Sequence, residues 1–234
     1  MNVQFLTASR ADFPAAVVAA QVPEMGALYA RYQNNDANLL ADGSGNITTW
    51  LDSSGRSKHL TPPRSGTQKK IVVDNRPYHR FNDSGFDVLQ APDAFPVSSD
   101  YSLLFRWQQL VKIDKQSPVS AAGQHAVAMR AAGNSPALWG NTGYLAEAPS
   151  NPPAGGFYTL FVTYDNATGT ARTYINNVLG ATQGGGSANT AGTLVLGDFL
   201  SGFFGCPQAL LGELVVYNTV VAAATRDYWH SNLT

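Results

Sequence analysis

The sequence has only three glutamates that could serve in acid chemistry: Glu24, Glu147 and Glu213. Cleaving a glycosidic bond takes two carboxyl groups facing each other, one protonated and one ionised, and no two of these glutamates are neighbours in sequence. Glu213 alternates with Val215 and Tyr217 in GELVVYN, a pattern that favours solvent for its side chain. Eliminative cleavage of acidic sugars takes a His/Tyr pair with Arg and Gln to neutralise the uronate. GQHAVAMR supplies Gln124, His125 and Arg130, but no partner Tyr-x-Lys-x-Gly-x-Tyr segment occurs. A lone His on a strand is more often a hydrogen-bonded structural residue. There is no Gly-x-Ser-x-Gly elbow, phosphate-cradling loop or dinucleotide fingerprint. The single Cys206 excludes an intrachain disulfide framework and a multi-cysteine zinc site. Catalysis is not expected; a hydrolase or lyase reading would depend on His125 and Glu213.

Binding without catalysis has better candidates. Sugars stack their apolar faces on exposed aromatic rings and hydrogen-bond to planar polar side chains. Trp139 and Tyr144 lie in SPALWGNTGYLAEAPSNPP, which reads as a Pro/Gly/Asn-rich loop, and Phe203-Phe204 lie in LSGFFGCP. These four are the candidate carbohydrate-binding residues. Their competing role is to plug the ends of the fold under long loops, because a ring gains much from being covered.

Short strands separated by turn residues must position them. YSLLFRWQ (101–108), HAVAMR (125–130), FYTLFVTYD (157–165), TARTYIN (170–176), GTLVLGD (192–198) and GELVVYN (212–218) all fit. In the third, Tyr158, Leu160, Val162 and Tyr164 share one face and Thr159, Phe161 and Thr163 the other, the period of a strand. DNATG and Asn176-Asn177 supply residues for tight reversals, and Gly184-Gly185-Gly186 marks a loop tip. Only VVAAATRDYWHSNL reads as helical, with Val221, Ala224, Tyr228 and Trp229 as its apolar stripe and Asn218 or Thr219 as its cap.

A chain of 234 residues, 44% hydrophobic and 11% aromatic, can fill one sizeable all-β core. Charged residues are only 13%, about half the usual share. A formal net charge of −1 leaves no excess of cations to displace phosphate counterions, which argues against nucleic acid as a partner. Lys69-Lys70, the only adjacent basic pair, is expected beside a strand on a solvated face. The Ala/Val run 15–20 is too short to span a membrane. The N-terminal stretch lacks the basic segment and apolar core of a secretory signal, so synthesis in a cytoplasm without general secretory export is expected.

In order, ITTWLDSSGRSKHL (47–60), NRPYHRFNDSGFDVL (75–89), YSLLFRW, FVTYDNATGTARTYINNVL and GELVVYN resemble the segments of the concanavalin A-like, laminin-G-like jelly-roll family. The resemblance covers roughly 27–233, and it rests on the order of the segments, none of which is specific alone. It implies an all-β, two-sheet antiparallel jelly-roll sandwich over 25–234 with a short C-terminal helix. It makes Trp50 a core residue, with Asp52 and Gly55 shaping a turn. The competing reading of that stretch is a Ca²⁺ site, because some members bind the ion in a rim loop. Asp52, Asp83 and Asp87, with Asn82, are then the candidate ligands, short of the six to eight oxygens Ca²⁺ takes.

Residues 1–25 have no counterpart in the family, and 1–24 read as an arm. Val3, Phe5, Leu6, Phe13, Val17 and Val18 are its apolar attachment residues. An extracellular type of fold on a chain without an export signal suggests a bacteriophage structural protein. The leading expectation is a non-enzymatic protein of the virion surface, in a homo-oligomer and in contact with capsid or tail proteins. The alternative is a carbohydrate-binding module for host surface glycans.

Overall fold

A computed structural model describes residues 22–63, 68–82, 88–111, 116–122, 124–129, 135–140, 143–197 and 208–233. Every strand pairing among them is antiparallel. The larger of the two main sheets has eight strands. Its linear order is β14 (Val178–Gln183), β13 (Thr170–Ile175), β12 (Phe157–Asp165), β7 (Tyr101–Gln109), β16 (Gln208–Tyr217), β5 (Arg76–Asn82) and β4 (Lys69–Val73). β1 (Leu28–Tyr32) also pairs with β16. The second sheet runs β11 (Gly143–Glu147), β10 (Ala137–Gly140), β9 (His125–Met129), β8 (Gln116–Ala121), β15 (Leu194–Leu196) and β6 (Leu89–Ala91). A small ribbon of β2 (Leu39–Ala41) and β3 (Ile47–Trp50) completes the described strands. This is the expected antiparallel jelly-roll sandwich, with the expected C-terminal helix, α1 (Ala223–Leu233).

The main core lies between the sheets. β12 sends Tyr158, Leu160, Val162 and Tyr164 into it, and β7 adds Leu103, Phe105 and Trp107. Each fully buried apolar side chain contributes on the order of 2–3 kcal/mol. The opposite face of the large sheet is also covered: Phe161, Leu104, Val215 and Tyr217 pack under Trp229, Leu233 and the preceding Val221. That second layer explains why both faces of β12 are apolar or tightly bonded.

Helix α1 turns inward a face that is only partly the one expected. Trp229 and the preceding Val221 are buried and Tyr228 is half-buried, as expected, but Thr225 and Leu233 complete the face and Ala224 is exposed. Neither Asn218 nor Thr219 caps it, because the first helical bonds run from Thr225 and Arg226 to the Ala222 carbonyl. Ser102 instead fixes the approach. Its hydroxyl donates to the Thr219 carbonyl at 2.8 Å and accepts from the Val221 N–H at 3.0 Å.

Turn chemistry follows the sequence closely. Asn176 and Asn177 carry φ of 48° and 64°, joining β13 to β14. Lys69-Lys70 opens the edge strand β4 rather than flanking one, with Lys70 paired to Asp36 at 2.6 Å. The outer side of β4 is covered at this point, because the Lys70 N–H donates to the Gly45 carbonyl at 3.0 Å and the Ile47 N–H donates to the Gln68 carbonyl at 2.8 Å. The segment 135–147, read as a loop, forms the β10–β11 pair: Leu138 and Leu145 point into the core while Trp139 and Tyr144 point out. Period-two alternation outweighs the weak strand propensity of its Gly, Ala and Asn.

Val22 packs on the cluster beneath α1, and the Tyr217 hydroxyl donates to the Pro23 carbonyl at 2.9 Å. The contact with the sandwich thus begins before residue 25. Val3, Phe5, Leu6, Phe13, Val17 and Val18 lie outside the described residues, as do Asp83, Asp87, Phe203 and Phe204.

Candidate functional site

Trp139 of β10 stands opposite Tyr144 of β11 and, on its other side, Ala126 of β9. The three therefore share the outer face of the six-stranded sheet, away from the main core. The Trp139 and Tyr144 ring centroids are 4.9 Å apart with planes at 85°, an edge-to-face pair. Both rings are half-buried and rest on the buried methyl groups of Ala126 and Ala128. Two alanines at these positions leave room for two large rings, each of which keeps part of its surface in water. A backbone contact holds the hairpin against the large sheet. Gly180 of β14 lies so close to the end of β11 that a Cβ there would sit 2.3 Å from the Glu147 carbonyl oxygen.

Of the residues a lyase would use, His125 does pair with a tyrosine, Tyr101, but both are buried. His125 is 1% exposed. Its Nδ1 is 2.8 Å from the Tyr101 hydroxyl and its Nε2 is 2.9 Å from the Ser187 carbonyl. A carbonyl only accepts, so Nε2 carries the proton and Nδ1 accepts from Tyr101. Burial pulls its pKa down to about 4, against a smaller upward effect of the Ser187 bond. Gln124 accepts from the Thr190 N–H at 2.6 Å, so both residues clamp the 187–190 segment; Arg130 lies outside the described residues. Glu213 does not face open solvent. It is 13% exposed and paired with Arg31 at 2.7 Å. Burial raises its pKa, and Arg31 opposes the shift.

The Trp-Leu-Asp-Ser-Ser-Gly stretch is a structural turn. Trp50 is fully buried, exchanges backbone bonds with Leu60 and donates its indole N–H to the Gln33 carbonyl at 2.9 Å. Asp52 accepts from the Arg31 N–H (2.9 Å) and Ser54 N–H (2.8 Å) at Oδ1, and from the Ser54 hydroxyl (2.8 Å) and Lys58 N–H (3.0 Å) at Oδ2. Burial pushes its pKa up, but those four bonds together outweigh burial and leave it below the ordinary value. A carboxylate with both oxygens engaged by donors is not arranged as a Ca²⁺ ligand. Among the described residues no group of three or more acidic, His or Cys side chains is gathered for a metal. Asp52 is thus committed to its turn; its suggested partners Asp83 and Asp87 lie outside the described residues.

A second feature was not found from the sequence. On the outer face of the large sheet, beside the end of α1, is a cavity of about 300 Å³. Arg106, Phe157, Thr159, Asn176, His230 and Leu233 line it, with Tyr158. Phe157 packs against Tyr78 with centroids 4.9 Å apart and planes tilted by 32°, and the Arg106 guanidinium lies 4.5 Å from the Phe157 ring centre. Only position-specific register brings these residues together from β7, β12, the turn after β13 and α1, so no local motif announces them.

No protein-family model matches the sequence, and no curated protein matches it. Solved structures do, at low identity. Domain 4 of AbnA, an extracellular GH43 arabinanase of Geobacillus stearothermophilus solved with arabinotriose, superposes with a TM-score of 0.66 at 17% identity, over 87% of this chain and 98% of that one. The botulinum neurotoxin serotype C1 binding domain gives 0.63 at 10% identity, covering 90% of this chain and 53% of its own length. A Trypanosoma rangeli sialidase gives 0.63 at 11%, over 90% of this chain and 33% of the enzyme. The chain thus spans about half of the toxin binding domain and a third of the sialidase. At these identities the likeness establishes the fold: a jelly-roll sandwich that recurs in carbohydrate- and receptor-binding proteins. No helix among the described residues is long and apolar enough to cross a membrane.

Proposed function

We propose that this chain is a non-catalytic carbohydrate-binding sandwich that holds its ligand against Trp139 and Tyr144. The observation that carries the proposal is the edge-to-face pair, half-buried on an outer sheet face and apart from the main core. Two rings at right angles offer a sugar one flat surface and one edge. The C–H face of a saccharide packs on the first while its hydroxyls bond to nearby polar groups and water. The fold shared with an arabinanase domain solved with arabinotriose supports the reading, as do Glu213 and His125, both engaged in structural contacts. Affinity electrophoresis through gels containing neutral polysaccharides, arabinan among them, tests it. Retardation of the wild-type chain but not of Trp139→Ala is expected; equal mobility of both in every gel would count against it.

A second reading places the same sandwich on a virus particle, with residues 1–24 as the attachment segment and capsid or tail proteins and further copies of the chain as partners. It is supported by the sequence and by one contact. Val22 and Pro23 enter the fold beside Tyr217, so an attachment segment would leave from the α1 side, well separated in the topology from the β10–β11 pair. Removing residues 1–21 should then abolish incorporation into particles while leaving a folded sandwich. Normal incorporation of the truncated chain overturns this reading.

A further inference from the structure

We propose that the cavity beside the end of α1 binds an acidic saccharide unit, with Arg106 recognising its carboxylate or sulfate group. Arg31 has Glu213 and Lys70 has Asp36. Among the described residues no carboxylate pairs with Arg106, and its Nε–H is buried without a hydrogen-bond partner. The rings over which it lies are Phe157, at 4.5 Å, and Tyr78, at 5.9 Å, and the charges of Asp74 and Arg76 act on it with opposite signs from beyond ion-pair distance. An unpaired cation half-removed from water is costly, and an incoming anion removes that cost while gaining charge-assisted, two-pronged hydrogen bonds.

The rest of the cavity suits a polar ring that carries such a group. None of the described lining residues is acidic. Asn176 accepts the Thr159 N–H at 3.0 Å through Oδ1, which leaves its NH₂ to donate to a ligand. The Thr159 hydroxyl and His230 Nδ1 sit 2.9 Å apart and fix the far wall. Phe157 provides an apolar surface for a ring face. A volume of about 300 Å³ is at the small end of ligand pockets and has room for one monosaccharide unit. Gly212 makes the arrangement possible. A Cβ there would lie 3.1 Å from the Tyr78 ring and 3.2 Å from Arg106 Cβ, crowding both. The site stands on the large sheet and does not rest on Trp139 or Tyr144.

The test is NMR titration of the ¹⁵N-labelled full chain with glucuronate, glucose 6-sulfate, glucose and inorganic sulfate, following the Arg106 Nε–H and Asn176 side-chain amide signals. Shifts with one or both acidic sugars, but not with glucose, are expected. Response to glucuronate alone identifies a carboxylate site, and response to glucose 6-sulfate alone a sulfate site. Arg106→Gln should weaken binding at least tenfold. Arg106→Lys, which keeps the charge and loses the fork, should weaken it less and guards against misfolding of the first variant. Equal response to glucose, undiminished binding by Arg106→Gln, or inorganic sulfate binding as tightly as the sugar acids would each overturn the proposal. Loss of neutral-glycan binding by Trp139→Ala leaves this result unchanged, so the two sites fail separately.

Discussion

Trp139 and Tyr144 face each other across the β10–β11 ladder, ring centroids 4.9 Å apart and planes at 85°, on the sheet face that the main core does not use. Because neither ring belongs to the main core, truncating one removes ligand contact more than packing. Tyr144→Ala should weaken glycan affinity at least about tenfold, or about 1.4 kcal/mol. Its midpoint of thermal unfolding should move by only a few degrees. Paired calorimetry and melting curves check this, and a large joint loss would make Tyr144 a packing residue.

The hairpin that carries the pair depends on Gly180. Any side chain there meets the backbone at Glu147, Ala148 and Pro149, which cannot swing aside as a side-chain tip can. Gly180→Ala should cost about 1–3 kcal/mol of stability, the range for overpacking. It should also weaken glycan binding by displacing β11. Urea unfolding and binding measured on the same preparation test both effects.

Asp52 should behave as a turn residue and not as a metal ligand. Asp52→Ala strands four donors and should destabilise by about 2–4 kcal/mol. Asp52→Asn should be nearly as damaging, since one acceptor becomes an NH₂ group facing donors. Adding Ca²⁺ to the wild-type chain should leave its melting temperature unchanged if Asp52 is the site in question; a Ca²⁺-dependent rise abolished by Asp52→Asn would contradict this account.

Two buried histidines set a direction for acid stability. Burial lowers His79 to about 3 and His125 to about 4. Both lie below the unfolded value of about 6.5, so the unfolded chain binds more protons between those limits and stability falls as pH drops below 6.5. By pH 5 each should cost about 2 kcal/mol relative to neutral pH. His79 is the sharper test, because neither ring nitrogen has a hydrogen-bond partner and the ring packs between Trp50 and Phe81. His79→Leu should keep or raise stability at pH 7.5 and remove about half of the loss at pH 5. Urea melts of both proteins at the two pH values measure it, and an unchanged acid loss in the variant would rule His79 out.

The strands that were legible in the sequence are those whose pattern is set by the core. β12, read as 157–165, has those bounds, and β7 and β13 fall within a residue of theirs. β9, β15 and β16 were also read, with looser bounds for the last two, while the strands that were missed had reasons to hide. β8 carries Pro118 at a register shift and β14 is an exposed edge, so neither shows clean alternation. On the inward face of α1, Val221 and Trp229 were read correctly, but Ala224 was read in place of Thr225 because the buried Thr225 is polar and the adjacent Ala224 is apolar. Trp139 and Tyr144 could be picked out because large rings among Gly, Asn and Pro are conspicuous. Their edge-to-face geometry could not, because the 135–147 segment reads as loop. The cavity at Arg106 was invisible because an arginine without a carboxylate partner becomes conspicuous only after folding.

The most direct measurement is a broad glycan array probed with the full wild-type chain beside Trp139→Ala. The account predicts a defined set of saccharide signals for the wild type, lost in the variant while its melting temperature stays within a few degrees. The same signals in both proteins, or none with wild type on any glycan, would contradict it.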